Sequence, residues 1–170
     1  MVEEWMVRIV NSWIMGGYMS FERRNKNRGY QKLIVWQDTI KYLVETRKVL
    51  KEQSVAFEDR KLISQQFASV DSIHRNIAEG YCRKSIREYI HFLYIALASA
   101  GESVSGQVAF QRSGLLKDEA FEYLDSLSFK IENGMLKLIE SLQRKQVEGN
   151  WDDSLIVEES NSLYNQDIHP

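Results

Sequence analysis

The chain's only proline is Pro170, its last residue. Proline removes a backbone donor and clashes with the preceding helical turn. A chain without it before its end is therefore free to run in long, unbroken helices. The apolar spacing shows where. Over residues 31–53, Leu33, Trp36, Ile40, Leu43 and Leu50 recur three, four and seven apart, which is one helical face. Over 58–79, Ile63, Phe67, Val70, Ile73 and Ile77 do the same, and Gly80 stands where a left-handed cap would close the helix. Ser85-Ile86-Arg87-Glu88 reads as a capping box. It starts a third helix at Ile86, with Ile86, Ile90, Leu93, Leu97, Ala100 and Val104 inward and an end near Arg112, before Gly114. A fourth covers 117–146, with Phe121, Leu124, Leu127, Ile131, Met135, Leu138 and Leu142. Asn133-Gly134 is a hairpin signal in strands. Here the apolar spacing runs through it in phase, so the glycine is expected inside the helix at about 1 kcal/mol against alanine.

Four helices with short connections predict an all-α, antiparallel up-down four-helix bundle. The expected organisation is an N-terminal arm over 1–29, the bundle over 30–147 and an acidic tail over 148–170. The arm contains Gly16-Gly17 and a stretch from Phe21 to Arg28 without hydrophobic periodicity, so it is expected to be flexible. Met19 is the expected native start. The tail has five acids and no Lys or Arg from Gly149 onward. Cys82 is the only cysteine, which excludes an internal disulfide and a four-cysteine zinc site. The longest nearly apolar stretch, Tyr89 to Ala100, is too short to span a bilayer. Glu3 and Glu4 stand where a signal peptide needs positive charge. A cytoplasmic protein with no membrane partner is expected.

The net charge of -2 hides an asymmetry. Arg23 to Arg87 holds 15 Lys+Arg against 7 Asp+Glu, and Glu88 to Pro170 holds 6 against 14, giving +8 and -8. Such polarity fits a basic face for an acidic partner, or two halves that attract each other. Arg23, Arg24, Lys26 and Arg28 cluster in the arm; Arg75, Arg83, Lys84 and Arg87 cluster around the turn between helices two and three. Grouped cations suit phosphate contact, because affinity comes from releasing several counterions. The bland alternative is surface solvation, or pairing with the acidic half. The pI near 6.0 counts against strong nucleic-acid binding.

A second stripe of Gln65, Ser69, Ser72, Asn76 and Glu79 lies away from the core of the second helix. On the third helix Phe92, Ile95, Ser99, Ser103, Gly106 and Phe110 stand opposite the core stripe. Short, uncharged side chains let another backbone approach, so these residues are the expected subunit interface. The alternative is a wide core stripe on a central helix.

Residues Ser72 to Gly80 (Ser-Ile-His-Arg-Asn-Ile-Ala-Glu-Gly), with Arg83, Ser85, Glu88-Tyr89, Phe92 to Ala96 and Leu33 to Gln37, resemble a known family. It is the bacterial four-helix-bundle proteins encoded in intervening sequences of 23S ribosomal RNA genes, related to accessory variability proteins of diversity-generating retroelements. The resemblance implies a homo-oligomer, often a pentameric ring, with no established enzymatic activity. Its retroelement branch implies nucleic-acid binding and a reverse transcriptase partner. His74-Arg75 departs from it, standing where many relatives have proline or a small residue.

Enzyme signals are thin. Glu88-x-x-His91 has the spacing of a di-iron ligand pair, and Asp71-x-x-His74 is a looser copy. Glu88 and His91 face away from the core stripe, so no metal or cofactor is expected. Cys82 has no base placed to activate it. The expected function is a non-enzymatic oligomer that binds RNA or RNA–DNA through the two basic clusters, as an accessory to another protein. The alternative is a protein-interaction scaffold with no nucleic-acid role, whose acidic tail from Gly149 to Pro170 docks a basic partner.

Overall fold

The computed structural model describes residues 26–52, 59–83 and 85–149. A 3-10 turn, η1 (Lys26–Lys32), leads into four helices: α1 (Ile34–Glu52), α2 (Arg60–Tyr81), α3 (Ile86–Arg112) and α4 (Asp118–Glu148). There is no strand among the described residues. Each helix starts and stops within a few residues of the apolar spacing that predicts it. Asn133 and Gly134 are helical, and Gly134 is buried. The loop 53–58 and the tail from residue 150 lie outside the described residues.

Two local expectations are corrected. Gly80 does not cap α2: it is helical and buried, and positive φ occurs only at Gly114 and Gly149 among the described glycines. It is small because α3 crosses there. A Cβ on Gly80 would lie 2.7 Å from Phe92 Cβ and 2.9 Å from Tyr89 Cδ2. Ser85 has the extended backbone of an N-cap, but its side chain makes no capping bond. Glu88 instead sits 4.0 Å from Arg83 Nη1. Of the expected arm, residues 26–29 fall in η1, which packs on α1 and α2, and residues 1–25 lie outside the described residues. Leu33 N–H bonds Tyr30 C=O at 3.0 Å, joining that turn to α1.

The four helices form a square in which α1 and α3 each pack on both α2 and α4. Leu33, Val70, Ile73, Ile77, Leu93, Leu124, Ile131 and Met135 meet at its centre with no exposure. Burying each such side chain contributes about 1.5–3 kcal/mol. A second cluster of Leu50, Phe110 and Leu116 closes one end.

The buried row of α3 is Tyr89, Leu93, Ala96, Ala100, Ser103, Gln107 and Phe110, spaced four and three in alternation. It is rotated by about one residue from the apolar row read in the sequence. Ile86, Leu97 and Val104 are therefore half-buried flanks. The cause is a polar network across the square. Tyr42 of α1 meets Ser103 Oγ at 2.9 Å and accepts from Gln107 Nε2 at 2.6 Å. Gln66 of α2 donates to Ser103 Oγ at 2.8 Å and Ser103 C=O at 3.1 Å. Buried polar groups are tolerated when bonded to one another. Burial pushes the Tyr42 hydroxyl up to about 12, against the bonds from Ser103 and Gln107.

Candidate functional site

Two surfaces carry the chemistry foreseen in the sequence: the basic end where η1, α2 and α3 meet, and the contact between α2 and α3. At the first, Tyr81 is the junction. Its ring meets Tyr30 of η1 at 6.1 Å and Tyr89 of α3 at 5.9 Å, both edge-on. Tyr30 also meets Trp36 at 5.3 Å. Gly29 is required here, because a Cβ would overlap the Tyr81 hydroxyl. This aromatic run holds Arg28 at the same end as Arg83 and Arg87, and all three are exposed. Lys26 is placed within η1, while Arg23, Arg24 and Lys84 lie outside the described residues.

Two of these cations already have carboxylates. Arg75 Nε donates to Asp71 Oδ2, and His74 Nε2 lies 3.0 Å from Asp71 Oδ1. Burial works to raise the Asp71 carboxyl, but the bonds from Arg75 and His74 outweigh it and hold it below its ordinary value. Arg83 Nη2 donates to Glu79 Oε1 at 2.5 Å, and the guanidinium lies 4.9 Å over the Phe92 ring. Exposed pairs of this kind contribute only about 0–1 kcal/mol. They still reduce the field a phosphate would meet. Arg28 and Arg87 form no ion pair with a described carboxylate.

At the second surface, the stripe read as a subunit contact is largely internal. Ser103 is fully buried, and Ser69 and Ser99 are nearly so. Ser72 and Ser99 hydroxyls meet at 2.9 Å, Ser69 donates to Gln66 C=O at 3.0 Å, and Asn76 Nδ2 donates to Ser72 C=O at 2.8 Å. Phe110 is buried, and a Cβ on Gly106 would strike Gln66 Oε1. Small side chains here let α2 approach α3 within one protomer. The subunit-interface reading is therefore corrected for Ser69, Ser99, Ser103, Gly106 and Phe110. Gln65 and Glu79 are exposed; Ser72, Asn76, Phe92 and Ile95 are half-buried along the outer edge.

The outward row of α3 is His91, Tyr94, Ala98, Gly101, Ser105 and Val108, all exposed. Between Glu88 and Arg112 the helix carries one charge, Glu102. The stripe expected opposite the core, Phe92, Ile95, Ser99, Ser103, Gly106 and Phe110, is half-buried or buried and is not this outward row. Glu88 and His91 are exposed, and Asp71 and His74 bond each other. Among the described residues, no group of three or more His, Cys, Asp or Glu side chains could hold a metal ion. None of the described helices is long and apolar enough to cross a membrane.

No curated protein matches the chain. The family model described as 23S rRNA-intervening sequence protein matches residues 31–137, from the end of η1 into the second half of α4. That span is most of the bundle, and it includes the Asn76 to Gly80 core of the resemblance; the chain belongs to the 23S rRNA-intervening sequence protein family.

Proposed function

We propose that this protein is a non-enzymatic scaffold: an antiparallel up-down bundle that assembles with copies of itself and presents its remaining faces to a partner. One observation carries the reading. The outward face of α3 is nearly free of charge, whereas a helix facing water is normally polar on that side. Such a face belongs under another surface. The exposed Gln65 and Ala68 of α2 and Ala98 and Ala109 of α3, with half-buried Ile95 between them, offer a flat, short-chained contact. The family resemblance implies five subunits. Native mass spectrometry tests the reading. The wild-type chain is expected as a multimer, and Ala68→Glu with Ala98→Arg as 19.9 kDa protomers of unchanged helicity. A wild-type protein that stays a lone protomer at micromolar concentration overturns it.

A second reading keeps nucleic acid in play, because Arg28 and Arg87 are exposed together at one end and a ring would repeat them. Their contacts would be to phosphate, without base readout. Anisotropy with a labelled RNA hairpin at about 50 and about 200 mM salt decides it. Binding that weakens with salt and with Arg87→Glu supports the reading; no binding at the lower salt rejects it.

A further inference from the structure

The flank where α3 meets α4 lies beside the proposed assembly contact: Tyr94, Gly101 and Val108 are the α4-side edge of the outward row, apart from the patch around Ala68, Ile95, Ala98 and Ala109. Two hydrogen bonds clamp the helices together: Gln111 Nε2 to Asp118 Oδ1 at 2.9 Å, and Gln143 Nε2 to the Tyr94 hydroxyl at 3.2 Å. Tyr94 and Gln111 are about 25 Å apart along α3 at 1.5 Å per residue. Between the clamps, Phe129 and Leu136 of α4 stand 65% and 48% exposed. They share a face with Asp118 and Gln143, since Asp118, Asp125, Phe129, Glu132, Leu136 and Gln143 recur at helical spacing. The facing row of α3 is Tyr94, Gly101 and Val108, also exposed. A Cβ on Gly101 would meet nothing within 4 Å, so the row has an open notch at its middle.

The rim of this channel is acidic. Glu122, Asp125, Glu132 and Glu140 flank the two apolar side chains, while the α4 cations of the same span lie on the opposite flank. There Lys130 Nζ sits 3.0 Å from Asp38 of α1, and Lys137 follows seven residues on. Burial and the neighbouring Asp125 carboxylate raise Glu132 above its ordinary value. The negative charge on this flank is thus concentrated and under-compensated.

We propose that the α3–α4 channel is a docking groove for a basic amphipathic helix of a partner protein, with an apolar row on Phe129, Leu136 and the Gly101 notch and Lys or Arg on the acidic rim. Length, apolar spacing and charge all match such a helix. The chain's own basic helix fits poorly. The outer face of α1 carries Lys41, Arg47, Lys48 and Lys51, but α1 has no exposed large apolar side chain among the described residues. This extends the scaffold reading by naming the partner's chemistry, and it does not depend on subunit number.

The test uses the full chain and a fluorescein-labelled helical peptide of about 18 residues, Leu on one face and Lys on the other. Its controls are a scrambled peptide of equal composition and a Leu/Glu version. Anisotropy should show binding of the Leu/Lys peptide alone. Phe129→Ser with Leu136→Ser should weaken it about tenfold or more, with unchanged circular dichroism. Gly101→Leu, which fills open space in the notch, should weaken it similarly. Equal binding of the scrambled peptide, indifference to both variants, or no binding overturns the proposal. Native mass spectra of the same samples keep the two readings apart: a multimer that ignores the peptide sinks only the groove, and a protomer that binds it sinks only the assembly.

Discussion

Two glycines show how one substitution changes sign with its surroundings. In a helix, Gly→Ala gains about 1 kcal/mol of propensity. At Gly101 nothing opposes the gain, because the new methyl meets open space. Gly101→Ala should raise the thermal midpoint by a few degrees. At Gly80 the same methyl would sit 2.7 Å from Phe92 Cβ and 2.9 Å from a Tyr89 ring carbon. Overpacking costs about 1–3 kcal/mol, which outweighs the propensity, so Gly80→Ala should lower the midpoint. Thermal unfolding of the pair checks both signs. Tyr42 gives a pH signature. Its folded hydroxyl is held near 12 against an ordinary 10.0, so the unfolded chain ionises first. Its contribution is intact below pH 10 and is lost as pH rises toward 12, by about 2 kcal/mol. Tyr42→Phe should be less stable at pH 8 by about 1–3 kcal/mol, because Ser103 and Gln107 lose a partner. It should also lose less between pH 10 and 12, as urea titrations would show.

At the scale of the helix, the sequence located all four elements but misjudged the rotation of α3. Hydrophobic spacing weights Ile86, Leu97 and Val104 above Ser103 and Gln107, yet the polar pair is the more deeply buried. Their burial depends on Tyr42 and Gln66, which come from two other helices, and periodicity along one helix cannot see a bond across the square. The sign that was available is Thr39, Tyr42 and Thr46, polar residues at three-four spacing beside the apolar row of α1 and all buried. The pairing of the basic cluster was also legible. Asp71 and Arg75, and Glu79 and Arg83, stand four apart, where helical side chains meet. Leu93, common to the expected and observed core rows, has no exposure. Leu93→Ala should cost about 2–5 kcal/mol in chemical denaturation. The retroelement partnership came with the resemblance, and no described side chain carries it.

At the scale of the molecule, the chain's charge polarity does not become two charged halves of the bundle. The helices α1 and α2 carry a net +1 each, α3 is neutral and α4 alone is acidic, at -3. The bundle thus has one acidic helix and, on α3, an outer face with little charge. A lone protomer in water would leave that face wet for its whole length, at a cost that rises with the apolar area exposed. In the proposed assembly, further copies cover its α2 side, around Ala68, Ile95, Ala98 and Ala109, and leave Tyr94, Gly101 and Val108 to the groove. Sedimentation equilibrium of the untagged chain across micromolar concentrations decides whether the copies assemble. The predicted result is a mass that is a whole multiple of 19.9 kDa; a single 19.9 kDa species at every concentration would contradict it.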